Sequence, residues 1–83
     1  GTVTTGLDVW TDYQRVNEDG GEISFKYFGN SEKYSIIVTL SDKNSYIATL
    51  DSKPIDFSER VGGCLEFTLD GSVKDGILNI EKA

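Results

Sequence analysis

The stretch that decides the fold of this chain is Ile23-Ser24-Phe25-Lys26-Tyr27-Phe28. Apolar and polar side chains alternate along its first five residues, which is the spacing of a β-strand with one buried face. Aromatic and β-branched residues also favour extended backbone. We therefore predict a strand whose Ile23, Phe25 and Tyr27 side chains face a core.

The preceding segment, residues 7–16, alternates in the same way. Leu7, Val9, Thr11 and Tyr13 fall on one face of an extended chain, and we expect this face to point into the core. The acidic stretch of residues 17–21, which ends in two glycines, provides the backbone freedom that a chain reversal needs. The two segments are therefore predicted to pair as a β-hairpin.

Further alternating segments cover residues 34–40, 46–50, 64–69 and 77–81. The first two are separated by a polar turn cluster at residues 41–45 and predict a second hairpin. Pro54 cannot donate a backbone hydrogen bond, which favours an edge or connecting segment. We expect the chain to pass from one sheet to the other at this point.

These segments together predict an all-β fold, a small antiparallel β-sandwich of six or seven strands with an immunoglobulin-like or jelly-roll-like arrangement. A small β-barrel is the alternative. We interpret residues 1–83 as a single domain and expect it to be a module excised from a larger chain. Tyr13, Tyr27, Tyr34 and Tyr46 are expected in the core or at its rim. The predicted core consists of Val9, Tyr13, Ile23, Phe25, Ile36, Val38, Leu40, Leu50, Leu65, Phe67, Leu69, Leu78 and Ile80.

Composition narrows the possible functions. The 83 residues carry a net charge of −6, which disfavours binding to nucleic acid or to anionic membrane surfaces. Histidine, the commonest general base, is absent, and Cys64 has no partner that would activate it. We therefore predict no catalytic residues and a protein that is not an enzyme.

The sequence has no apolar run of roughly 20 residues and no signal peptide, so we expect a soluble chain or one whose targeting segment has been removed.

Two loops are rich in oxygen-bearing side chains, the ligands that calcium prefers. Neither loop has the spacing of an EF-hand, and Asp and Asn are common in β-turns for conformational reasons. We therefore predict ordinary turns, no metal site and no cofactor, with calcium as the alternative. The residues concerned are Asn17, Glu18, Asp19 and Glu22 in the first loop and Asp70, Ser72 and Asp75 in the second.

Trp10 is the most informative residue for function. If Val9 faces the core, strict alternation places Trp10 on the opposite, polar face between Asp8 and Asp12. A one-residue slip or a bulge would instead turn the indole into the core. Pairing with the strand at residues 23–28 adds further polar and aromatic side chains to the same face. The predicted ligand-binding residues are Trp10, Phe28, Asp8, Asp12, Gln14 and Lys26.

Aromatic rings among hydrogen-bonding groups suit sugars, because the C–H faces of a sugar stack on rings and its hydroxyls need both donors and acceptors. We therefore predict a non-catalytic module that binds a polysaccharide or glycan and belongs to an extracellular or cell-surface protein. The alternative is an acidic protein-interaction domain, such as an adhesion module, inhibitor or immunity-type protein, that meets a basic protein partner. A structural spacer without a ligand is the third possibility.

Overall fold

The computed structural model describes residues 1–12 and 15–83, with Arg15 described by its backbone alone. These ranges contain β-strands, turns and irregular connections but no helix, and hence no helix that could cross a membrane. The ten strands are β1 (Thr2–Thr5), β2 (Val9–Thr11), β3 (Arg15–Asn17), β4 (Gly20–Tyr27), β5 (Lys33–Thr39), β6 (Tyr46–Leu50), β7 (Lys53–Pro54), β8 (Ser58–Arg60), β9 (Cys64–Asp70) and β10 (Asp75–Lys82).

The strands form two antiparallel sheets that pack face to face as a small sandwich. The first sheet has four strands in the order β1-β5-β9-β8. The second has six strands, ordered β2-β4-β10-β6-β7, with β3 also paired to β4. The described strands do not close into a barrel, so the sandwich prediction is confirmed and the barrel alternative is wrong.

The core lies between the two sheets and is built from alternate residues of the long strands. Most of the predicted core residues are buried there, whereas Leu40 and Leu50 are only partly buried. Tyr13 lies outside the described residues. The buried residues are Val9, Val16, Ile23, Phe25, Tyr27, Tyr34, Ile36, Val38, Tyr46, Ala48, Leu65, Phe67, Leu69, Leu78 and Ile80.

One of the two predicted hairpins is present. Strands β2 and β3 pair in succession with β4, and the reversal between β3 and β4 uses Gly20 with a φ of +113°. The second hairpin prediction is wrong, because β5 and β6 belong to different sheets. Residues 40–45 connect the sheets instead of turning within one. Both arrangements put the apolar faces of the strands into the core, so the alternation pattern does not distinguish between them.

Pro54 lies on an edge strand, as predicted for a residue that cannot donate a backbone hydrogen bond. It belongs to β7, an edge strand of the six-stranded sheet, where it pairs with Thr49. The chain then passes directly to β8 in the other sheet. The number of strands exceeds the predicted six or seven for three reasons. The alternation pattern does not predict β1, and the segment from residue 7 to residue 17 contains two short strands rather than one. In addition, β7 and β8 have only two and three residues.

Among the described residues of the segment 7–16, Leu7 and Val16 do not follow its simple alternation. Leu7 is fully exposed, because residues 6–8 form the turn between β1 and β2, closed by a hydrogen bond from the Val9 N–H to the Gly6 carbonyl oxygen. Val16 is buried although its position predicts the polar face. The cause is a register change of one residue, since Thr11 pairs with Phe25 but Arg15 pairs with Glu22.

Candidate functional site

Trp10 is half exposed, at 50% of its accessible surface, on the outer face of the six-stranded sheet. Its neighbour Val9 is buried, so the backbone of β2 turns one side chain inward and the next outward. The change of register begins after Thr11 and leaves the orientation of Trp10 unaffected. The sole tryptophan of the chain therefore lies on a solvent-facing sheet surface, which is an unusual position for so large an apolar side chain.

The residues around Trp10 come from neighbouring strands at the same level of the sheet. Trp10 pairs with Lys26 on β4, and Lys26 pairs in turn with Asp75 on β10. One level along, Ser24 pairs with Ile77, whose side chain is also exposed. The indole thus belongs to a row that also carries an ammonium and a carboxylate. We call the outward-pointing residues of this sheet the outer face: Trp10, Glu22, Ser24, Lys26, Ile47, Thr49, Asp75, Ile77, Asn79 and Glu81.

Phe28 follows β4 directly and is largely exposed. Its N–H donates a 2.8 Å hydrogen bond to the carbonyl oxygen of Asp8, which places these two residues opposite each other. The Asp8 carboxylate, however, is turned towards the end of the sandwich, where a β-carbon on Gly29 would overlap it and the Tyr27 hydroxyl. Among the predicted ligand-binding residues, Trp10, Lys26 and Phe28 thus occupy successive positions on two paired strands, and the Asp8 carboxylate points elsewhere.

Asp12 forms two hydrogen bonds that join the end of β2 to β4. Its N–H donates to the Ser24 carbonyl oxygen at 3.0 Å, and its Oδ1 accepts the Ser24 N–H at 2.9 Å. The side chain thus takes the place of a backbone acceptor where β2 ends, and one carboxylate oxygen is occupied by this bond. Gln14, the remaining predicted contact residue, lies outside the described residues.

A depression on the outer face was not predicted. It has a volume of about 360 Å³ and is bounded by side chains of β4, β6, β10 and the turn that follows β6. The depression cannot be predicted from the sequence, because Glu22, Thr49 and Asn79 come together only through the pairing of distant segments. Its lining residues are Glu22, Thr49, Asp51, Ser52, Ile77 and Asn79.

A second concavity, of about 330 Å³, lies between β1, β5 and the turn at residues 6–8. Tyr34 forms part of its wall, and its ring stacks on Tyr27 with centroids 3.9 Å apart. The Tyr34 hydroxyl donates to the Val73 carbonyl oxygen, and Lys74 Nζ lies 4.7 Å from the centre of the Tyr27 ring. These contacts give Tyr34 a role in closing this end of the sandwich.

We expect the stability of the domain to fall at alkaline pH because of Tyr34. Burial raises the pKa of the Tyr34 hydroxyl to about 12, and the charges of Tyr27 and Asp75 act in the same direction. The folded-state pKa exceeds the ordinary value of about 10, so the folded state favours the protonated hydroxyl. The stability gained in this way is fully present below pH 10 and is lost as the pH rises towards 12. Urea unfolding between pH 9 and pH 12 measures the effect, and Tyr34→Phe, which cannot ionise, should flatten the decline. An equally steep decline in that variant would contradict the assignment to Tyr34.

The two oxygen-rich loops act as turns. Asn17 Oδ1 accepts the Asp19 N–H, and Asp70 Oδ1 accepts both the N–H and the hydroxyl of Ser72. These two bonds lower the pKa of the Asp70 carboxyl below its ordinary value. Among the described residues, no group of three or more Asp, Glu or Cys side chains is arranged to hold a metal ion.

Comparison with known proteins finds no matching family model, no matching curated protein and no matching solved structure. The fold and the outer face define a small antiparallel β-sandwich that presents an exposed tryptophan on one sheet. The case for a function therefore depends on the chemistry of that face.

Proposed function

We propose that this domain is a non-catalytic carbohydrate-binding module that holds a polysaccharide or glycan against the outer face of its six-stranded sheet. The observation that carries the proposal is the half-exposed indole of Trp10 in one row with Lys26 and Asp75. An indole supplies a flat apolar surface for the C–H face of a sugar ring, and the two charged groups supply a donor and an acceptor for its hydroxyls.

Other residues on the outer face, and Phe28 just beyond the end of β4, extend the same chemistry. Phe28 offers a second exposed ring beyond Lys26, and Ser24, Thr49 and Asn79 are half-buried donors and acceptors on the neighbouring strands. The described part of the sheet is open, so a long glycan can lie across it without threading into a closed cavity. We further propose an extracellular or cell-surface location, because polysaccharides and glycans occur there.

A protein partner is the second candidate. Ile47 and Ile77 are exposed on the same face as Trp10, and apolar groups around an aromatic anchor also suit a protein interface. The net charge of −6 would steer the domain towards a basic partner. The hydroxyl and amide groups between the apolar residues favour the sugar ligand, because a protein interface is typically driest at its centre.

We expect Trp10→Ala to weaken glycan binding by about 1–3 kcal/mol while changing the free energy of unfolding by less than about 1 kcal/mol. The reason is that a half-exposed side chain contributes little to the core but supplies a large stacking surface. Tryptophan fluorescence of the unmodified domain, titrated with soluble oligosaccharides, reports binding as protection from a soluble quencher. Calorimetric titration gives the affinities of the variants.

Val61→Ala is the matched control, because Val61 is almost fully exposed in the turn between β8 and β9, away from the outer face. Its affinity for the glycan should equal that of the unmodified domain. If no oligosaccharide protects the indole, or if Trp10→Ala binds as well as the control, the carbohydrate proposal is wrong.

A further inference from the structure

Two aromatic rings are exposed close together at one end of the outer face. Trp10 is half exposed, and Phe28 is exposed over 73% of its accessible surface. Trp10 pairs with Lys26 on β4, and Phe28 comes two residues after Lys26, so the two aromatic residues are diagonal neighbours across paired strands. Such neighbours lie about 7–8 Å apart, which is within reach of large side chains. A single ligand can therefore contact both rings.

The backbone pairing determines the side of the sheet on which the Phe28 ring lies. Lys26 is exposed and Tyr27 is buried at the end of β4. The hydrogen bond from the Phe28 N–H to the Asp8 carbonyl oxygen continues the pairing of the two strands by one residue. Alternation then places the Phe28 ring on the same side of the sheet as Lys26 and Trp10. A ligand that contacts both rings must present two apolar patches on one side of its chain.

Glycans differ in whether they can present such patches. A β-1,4-linked glucan is an extended ribbon, and each of its sugar rings exposes an apolar C–H face along the ribbon. An α-1,4-linked glucan coils, so the faces of successive rings turn in different directions. Two aromatic rings on one side of a sheet therefore match the ribbon. Lys26, which neighbours both rings, provides a hydrogen-bond donor for the hydroxyls along the edge of the ribbon.

We propose that the glycan recognised by the outer face is an extended, β-1,4-linked polysaccharide, and that two sugar rings of one chain stack on Trp10 and Phe28. The inference rests on the proposed carbohydrate-binding function and specifies its ligand by shape. Phe28 is then the residue that determines specificity, because a coiled glycan can stack on Trp10 but not on both rings at once.

The test compares cellohexaose with maltohexaose, two glucose hexamers that differ only in the configuration of their linkages. We expect the domain to bind cellohexaose roughly three- to tenfold more tightly in calorimetric titrations, which is the order of magnitude of one additional ring contact. Equal affinity, a preference for maltohexaose, or binding only to some other oligosaccharide would overturn this inference but leave the carbohydrate proposal intact. If no oligosaccharide binds, both are wrong.

Phe28→Ala tests the second stacking position. Phe28 is largely exposed and lies beyond the end of β4, so we expect the variant to fold like the unmodified domain, which circular dichroism checks. It should lose roughly three- to tenfold in affinity for cellohexaose but less than about twofold for maltohexaose, so that the preference between the hexamers disappears. Phe28→Tyr keeps an aromatic ring and should retain the preference.

Val61→Ala again serves as the control, because it removes exposed apolar surface away from the outer face. It should keep both the affinity for cellohexaose and the preference over maltohexaose. The inference is wrong if Phe28→Ala binds cellohexaose as tightly as Val61→Ala does. It is also wrong if Phe28→Ala loses the same factor for both hexamers, since Phe28 would then not select the shape of the glycan.

Discussion

We expect Phe67→Ala to lower the free energy of unfolding by about 3–5 kcal/mol. Phe67 is fully buried near the middle of β9, and its ring packs against Phe57 with centroids 5.2 Å apart. Removing the ring takes away its buried apolar surface and leaves a cavity between the two sheets. A domain of this size has a total stability of roughly 4–12 kcal/mol, so the substitution should remove a large share of it.

Urea denaturation followed by circular dichroism measures the loss. Thr68→Ala is the control, because Thr68 is the next residue on the same strand but is exposed on the outer side of its sheet. We expect it to change the free energy of unfolding by no more than about 1 kcal/mol. A cooperatively folded Phe67→Ala with nearly unchanged stability would show that β9 does not present Phe67 to the core.

The faces of the long strands could be predicted from the sequence because they depend on alternation alone. In β4 and β9, successive side chains point to opposite sides, so Phe25 and Leu65 had to lie with their apolar neighbours. The outward orientation of the Trp10 side chain could be predicted from the same alternation. Its exposure follows from the buried position of Val9, provided that no extra residue intervenes, and the register changes only beyond Thr11.

Strand partners could not be predicted in the same way, because pairing is a long-range property. The polar cluster at residues 41–45 suits a hairpin loop as well as a passage between sheets, and β6 pairs with β10 instead of β5. The role of Asp12 depends on Ser24 in the neighbouring strand, and the depression depends on Glu22 and Asn79 lying side by side. No local pattern contains this information, so the depression on the outer face could be found only from the topology of the strands.

We expect Gly20→Ala to destabilise the domain by roughly 2–6 kcal/mol, which is the sum of a conformational cost and a steric cost. Gly20 has a φ of +113°, a conformation that residues with a side chain rarely adopt. It also lies at the start of β4 directly against β10, where a β-carbon would overlap the carbonyl oxygen of Ile80. Because that oxygen belongs to the backbone, relief requires the central pair of strands in the six-stranded sheet to move apart.

Gly62→Ala separates the two costs. Gly62 also has a positive φ, +81°, but apart from its two chain neighbours no residue has an atom within 4 Å of the position that its β-carbon would take. We therefore expect this variant to lose only the conformational part, about 1–2 kcal/mol. Chemical denaturation of both variants gives the difference, which measures how closely β4 and β10 approach at this point. Equal losses would mean that the β4–β10 contact at Gly20 has room for a methyl group. In that case the spacing of the strands that carry Lys26, Asp75 and Ile77 on the outer face would differ from the one described.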